Sequence, residues 1–141
     1  MSASLDAFKA YWETLTPEAV AAIGERYTEE AYFRDPFNEV RGHAELKRIF
    51  GHMFEAMHEP RFRILEVVEQ DGRAFITWDF TFRVKAWGPD ITRTIHGGSL
   101  LRFAADGRVE YHRDYWDAAG ELYEKLPVVG ALMRWLARKM G

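Results

Sequence analysis

The chain has 141 residues and a mass of 16.4 kDa, with a formal net charge of −3 and no cysteine. That length suits one domain with a single core, and the charge gives no electrostatic reason to expect a nucleic-acid partner. The lack of thiols excludes disulfides, thiolate metal sites, iron–sulfur clusters and a cysteine nucleophile. The balance of 48% hydrophobic and 29% charged residues is that of a globular protein; the unusual figure is 15% aromatic. No apolar stretch is long enough to span a bilayer, and the first ten residues carry Asp6 and Lys9 without an apolar run. Neither a membrane partner nor a signal peptide is expected, and the expected location is cytoplasmic.

Leu5, Phe8, Trp12 and Leu15 recur at helical spacing and predict a first helix. Thr16-Pro17 reads as the N-cap and first position of a second helix that ends near Tyr27. Residues 31–35 are too short and aromatic for a helix and predict a strand stopped by Pro36. Phe37 to Gly42 reads as a loop. Ala44 to Met57 predicts a third helix with Leu46, Ile49, Phe50, Met53, Phe54 and Met57 on one face.

After Pro60 the period shifts toward two. Phe62, Ile64 and Val67 mark a strand closed by the Asp71-Gly72 hairpin signal. Ile76, Trp78, Phe80, Phe82 and Val84 then alternate with Thr77, Asp79, Thr81, Arg83 and Lys85, predicting a strand with an apolar inner face. Gly88-Pro89-Asp90 leads into a third long strand over Ile91 to Phe103, and Asp106-Gly107 into a fourth over Val109 to Trp116. Val128 to Met140 predicts an amphipathic C-terminal helix that docks on its own domain with Trp135 buried. With no repeat or linker, residues 1–127 are expected to form one domain, with the helix of 128–141 packed on it. The order predicts an α+β fold: a curved antiparallel sheet around three N-terminal helices, with a cavity at its open end.

Candidate chemistry falls on two segments. Asp35 lies between Tyr32-Phe33 and Pro36-Phe37, where a poorly hydrated carboxylate would suit a general base or acid. It is equally a turn aspartate capping the next segment, which the Asp-Pro pair favours locally. On the last strand, His112, Asp114 and Trp116 share one face, while Tyr111, Arg113, Tyr115 and Asp117 share the other. With the Trp116 face inward, an imidazole and a carboxylate point together into an aromatic space, able to hold a tautomer, move a proton or activate water. The alternative is a solvated polar ladder or a buried structural pair. His43, His52, His58, His96 and His112 show no ligand spacing, so no metal is expected. Gly97-Gly98 within a strand marks a bulge or a close backbone approach. Ser99 lacks the Gly-x-Ser-x-Gly setting of a serine hydrolase.

Two motifs, Tyr32-Phe33-Arg34-Asp35-Pro36-Phe37 with Gly42, and His112-Arg113-Asp114-Tyr115-Trp116-Asp117, add to the element order. Together they resemble the nuclear transport factor 2-like superfamily, in particular its SnoaL-like and ketosteroid isomerase-like branch, from about Leu5 to Asp117. The resemblance implies a cone-shaped, barrel-like fold. It also implies a homodimer formed through the convex sheet face, with Phe75, Tyr111 and Tyr115 supplying aromatic area. Asp35 falls where ketosteroid isomerases keep their proton-shuttling carboxylate. Tyr11, 24 residues earlier, stands where they keep an oxyanion-binding tyrosine, and Ser99 where they keep a protonated aspartate. Asp114 matches the water-activating aspartate of limonene epoxide hydrolase, whose Arg-x-Asp partner is replaced here by Trp78 and Phe80. Scytalone dehydratase-like enzymes pair a His with an Asp, as His112 would with Asp35 or Asp114.

The function implied is cofactor-independent proton transfer, of isomerase, dehydratase or cyclase type, on a small apolar carbonyl compound. Asp35 or Asp114 would be the base, His112 the shuttle, and Tyr11 and Ser99 the donors to developing negative charge. Phe50, Phe54, Trp78, Phe80, Phe82 and Trp116 would line the substrate pocket. The alternatives are a non-catalytic module that binds a small hydrophobic molecule or dimerises, and an epoxide hydrolase-like activation of water.

Overall fold

A computed structural model describes residues 2–86, 88–121, 132, 135, 136 and 138–140. Helix α1 (Ala3–Glu13) starts at Ser2, whose Oγ accepts the Leu5 N–H at 3.1 Å, and buries Leu5, Phe8 and Trp12 along one stripe. Thr16 caps α2 (Pro17–Ala21) in the same way. The second helix is shorter than its sequence predicts. A 3-10 turn at Ile23–Glu25 follows, and Tyr27 opens strand β1 (Tyr27–Arg34) instead of ending a helix. The physical reason is tertiary: the N–H of Val109 donates to the Arg26 carbonyl at 2.8 Å and draws this stretch into a sheet.

The expected loop before Gly42 contains a short strand, β2 (Glu39–Arg41), which forms a hairpin with β1. Gly42, at φ 92°, then turns the chain into α3 (His43–Ala56). Helix α3 passes straight into β3 (Met57–Gln70), so Pro60 lies inside a strand. It is accommodated where the register shifts between His58 and Arg61, beside Glu59 at φ 48°. Strands β4 (Arg73–Val84), β5 (Arg93–Phe103) and β6 (Val109–Trp116) complete the sheet, and a single turn, α4 (Ala118–Glu121), comes after them.

The six strands run in the order β2-β1-β6-β5-β4-β3, with β1 and β6 parallel and every other neighbour antiparallel. The sheet is curved and unclosed; α1 contacts β3, and α3 contacts both β1 and β3. Its concave face carries the core. On β4, Ala74, Ile76, Trp78, Phe80 and Phe82 are buried, with less buried residues between them, which is the register the alternation predicts.

Gly97 and Gly98 explain how β5 fits between bulky neighbours. A Cβ on Gly97 would lie 2.6 Å from the Trp78 ring and 2.9 Å from the Trp116 Cβ; one on Gly98 would lie 2.8 Å from the Phe75 ring on the opposite face. The register runs through both without a shift, so the pair serves close approach, not a bulge.

The expected C-terminal helix over residues 128–140 lies mostly outside the described residues, and so does its docking. The described positions there are helical and exposed. Trp135 is 48% exposed, not buried as expected; Lys139, one turn on, places its ammonium 5.8 Å from the indole centroid. Among the described residues no helix is long and apolar enough to cross a membrane.

Because Gly97 lies between the Trp78 indole and the Trp116 Cβ, Gly97→Ala should cost about 1–3 kcal/mol of stability, the usual range for overpacking. Urea unfolding monitored by tryptophan fluorescence measures this. An unchanged midpoint would mean that the contact between Gly97 and Trp78 does not constrain the core.

Candidate functional site

The site is built by the pairing of β5 with β6. Ser99 lies opposite Asp114, Leu101 opposite His112 and Gly97 opposite Trp116. Alternation along β6 turns His112, Asp114 and Trp116 to the concave side, where they border a cavity of about 460 Å³. The rest of its wall is mainly aromatic and aliphatic. Phe50 and Met53 come from α3, Trp78, Phe80 and Phe82 from β4, and Phe8 and Trp12 from α1.

A chain of hydrogen bonds runs through this wall. Trp12 Nε1 donates to the Tyr27 hydroxyl at 3.1 Å, and that hydroxyl lies 2.8 Å from His112 Nδ1. His112 Nε2 is 2.7 Å from Asp114 Oδ1. From the other side, Trp78 Nε1 donates to Ser99 Oγ at 2.8 Å, and Ser99 Oγ donates to the same Asp114 Oδ1 at 2.6 Å.

The direction of every proton is set by two indoles that can only donate. Tyr27 Oη accepts from Trp12, so the tyrosine O–H points to His112 Nδ1. That nitrogen is therefore the acceptor of the ring, and the hydrogen on Nε2 is given to Asp114. Ser99 accepts from Trp78 and passes its own hydrogen to Asp114. Two donor chains thus end on one carboxylate oxygen, while Asp114 Oδ2 has no partner among the described residues. Burial sets the electrostatics. Tyr27 is fully buried, which pushes its phenol well above the ordinary tyrosine range, against a smaller downward pull from the Trp12 hydrogen bond.

Asp35 borders the same cavity. The parallel register matches Arg34 with Arg113, so one residue further Asp35 comes level with Asp114. The turn reading of Asp35 holds: its Oδ1 accepts the N–H groups of Phe37 and Asn38 at 2.8 and 2.7 Å. Asn38 Nδ2 donates to Oδ1 and Oδ2 at 3.1 and 3.2 Å. Phe50, Trp78, Phe80, Phe82, Ser99 and Trp116 also border the cavity.

Two expected site residues do not. Tyr11 follows the α1 stripe by one residue too few: Phe8 and Trp12 take the inward positions, and Tyr11 donates its hydroxyl to the Ala19 carbonyl at 2.8 Å. Burial raises its phenol to about 12, with Arg26 pulling the other way. Phe54 is one helical step past Met53 and packs against the core without reaching the cavity. Ser99 does reach it, but its single hydrogen is spent on Asp114. The functional hydroxyl that sequence reasoning missed is Tyr27. Among the described residues no group of three or more His, Asp or Glu side chains could hold a metal ion.

An unclosed sheet wrapped on helices, with a hydrogen-bonded His–Asp pair on β6 and an apolar cavity beneath, defines the cone-shaped α+β class of fold. Residues 8–112 match the model of the SnoaL-like domain, and the chain belongs to that family. No curated protein matches the sequence. Among solved structures, a Burkholderia pseudomallei nuclear transport factor 2-like protein of unknown function is 17% identical, with a TM-score of 0.72 over 85% of this chain and 95% of that one. A hypothetical protein with a ketosteroid isomerase-like fold from Catenulispora acidiphila, in complex with trimethylamine, is 14% identical. Its TM-score is 0.71 over 86% of this chain and 91% of that one. An epoxide hydrolase of limonene epoxide hydrolase type from Mycobacterium tuberculosis is 13% identical, with a TM-score of 0.65 over 84% of this chain and 83% of that one. At these identities the likeness is one of fold.

Both raised phenols make stability depend on alkaline pH. Unfolded tyrosines lose their protons near pH 10, before folded Tyr11 and Tyr27 do. The unfolded state therefore binds fewer protons above that pH, and stability present below about pH 10 falls as pH rises toward 12. In Tyr27→Phe this fall should be shallower, and one tyrosinate absorbance step released only on unfolding should be missing. The variant should also lose about 1–3 kcal/mol at neutral pH, because the Trp12 N–H is left without its acceptor.

Proposed function

We propose that the protein is an enzyme that moves a proton on a small apolar carbonyl compound without a cofactor, with Asp114 as the base. The observation that supports this is the ending of two donor chains on Asp114 Oδ1 at the wall of an apolar cavity, with Oδ2 left over. The two fixed hydrogen bonds hold the carboxylate in one orientation, so Oδ2 is positioned before substrate arrives. His112 donates to the base directly and Tyr27 fixes its tautomer, so a proton taken by Asp114 Oδ2 stays on that oxygen until it is returned to the substrate. Asp35 is less suited to the role, because four hydrogen bonds from its own turn occupy its oxygens. The isomerase, dehydratase and cyclase types share this step and differ in the fate of the carbanion or enolate once the proton has left.

A second reading replaces the substrate C–H by water. Asp35, Asp114 and Trp116 also border a more open hollow with Arg34 and Arg113, which offers solvent a route to the carboxylate. Water activated there would open an epoxide.

A homodimer is part of the proposal. On the convex face, Val68, Phe75 and Tyr115 are exposed, and Arg113 lies over the Tyr115 ring at 4.8 Å. Sedimentation should give a two-chain particle at micromolar concentration, and a charged residue in place of Phe75 should shift it toward single chains.

Deuterium exchange from solvent into a panel of small apolar ketones, read by NMR, tests the base. The protein should catalyse exchange into at least one of them, and Asp114→Asn should slow it by about 10²–10⁴-fold. Exchange that survives in Asp114→Asn would assign the base elsewhere. Epoxide opening without ketone exchange would favour the water reading.

A further inference from the structure

The cavity has an electrostatic character that its hydrogen bonds make explicit. Trp12, Tyr27, His112, Ser99 and Trp78 each give their hydrogen to a neighbour inside the wall. The Asn38 amide gives its hydrogens to Asp35. Among the described residues bordering the cavity, His52 and Trp116 have side-chain N–H groups outside this network. The His52 side chain is 75% exposed, and Trp116 meets the exposed Phe37 ring edge-on at 5.6 Å. Among the described residues, the hydrogens of Trp12, Trp78, Ser99 and His112 are thus spent within the wall, while Asp114 Oδ2 remains as an acceptor.

The cavity's charge has the same sign. Among the described residues bordering the cavity, the ionisable ones are Asp35, His52, His112 and Asp114; no lysine or arginine is among them. Arg34 and Arg113 share the more open hollow with the two aspartates but do not border this cavity; Arg34 reaches Glu39 at 3.4 Å and Arg113 lies over Tyr115. Arg93, the partner of Phe82 across β4 and β5, does not border the cavity, and a guanidinium nitrogen of it lies beside Gly88. Around the carboxylates stand indole and phenyl rings, whose faces carry partial negative charge.

We infer that the cavity binds a cation: a small molecule with an ammonium group carried on an apolar body. An anion would meet like charge and acceptors among apolar walls. A neutral apolar ligand would gain burial alone. An ammonium group gains burial of its carbon frame, cation–π contact with the rings, and a charge-assisted hydrogen bond to Asp114 Oδ2. The inference rests on reading this cavity as a ligand site.

The test uses three probes of one shape: 1-adamantylammonium, 1-adamantanol and adamantane-1-carboxylate. Binding to the full chain is measured by calorimetry at neutral pH. The ammonium should bind about tenfold or more tighter than the alcohol, and the carboxylate weakest. In Asp114→Asn the gap between ammonium and alcohol should shrink to within about threefold, with an unchanged near-UV circular dichroism spectrum as the sign of a folded cavity. Asp35→Asn, whose amide oxygen can still accept the turn hydrogen bonds, should narrow the gap as well and serves if the first variant does not fold. Alcohol or carboxylate binding as tightly as ammonium, or a gap untouched by both variants, overturns the inference and leaves Asp114 standing as a base. Binding by none of the probes overturns it together with the reading of the cavity as a ligand site.

Discussion

A core this rich in indole and phenol must find acceptors for the hydrogens it buries, and most of this structure is organised around that requirement. Trp12, Tyr27, Ser99 and Trp78 would each be costly inside an apolar core if left without a partner. Their hydrogens are passed inward along two routes that meet at a single oxygen of Asp114. The elements involved are α1, β1, β4, β5 and β6, so one carboxylate ties most of the fold together. Gly97 belongs to the same arrangement, because only a residue without a side chain lets the Trp78 indole lie across β5 and reach Ser99.

This arrangement gives Asp114 two roles that pull against each other. As the terminus of two donor chains it is structural, and its Oδ1 is fully committed. As a carboxylate with a second oxygen toward a cavity it is chemical. The division of labour between the two oxygens lets both roles coexist: one is immobilised by the core, and the other is thereby aimed. Asp35 shows the contrasting outcome, since its turn engages both oxygens and the same residue type on the same wall becomes mainly a cap.

Much of this was legible in the sequence, and the remainder was hidden for identifiable physical causes. The alternation around Trp78 and the face shared by His112, Asp114 and Trp116 depend only on the two-residue strand period, which side-chain polarity displays directly. For Gly97-Gly98, glycine inside a strand leaves a bulge and a close approach both open, and the neighbouring rings decide for the second. Tyr27 was hidden because Val20, Ile23 and Tyr27 also fit a helical period; pairing of the Arg26 carbonyl with Val109, 83 residues away, decides for the strand. Tyr11 falls outside the cavity because a distance along the chain does not say which way the helix turns. Phe54 shows the limit of a helical stripe, which identifies a buried face but not which part of that face meets empty space.

The parallel pairing of β1 with β6 joins the first strand of the chain to the last, and it bears on the order in which the molecule can be assembled. Contacts between distant segments form slowly, because the entropy of closing the intervening chain is lost before any contact rewards it. A nascent polypeptide that has emerged only as far as β5 already contains Trp12, Tyr27, Trp78 and Ser99, yet it has no His112 or Asp114 to receive their hydrogens. Closure by the last strand therefore both completes the sheet and relieves that deficit. Folding and the formation of the cavity's polar wall are, in this molecule, one cooperative event.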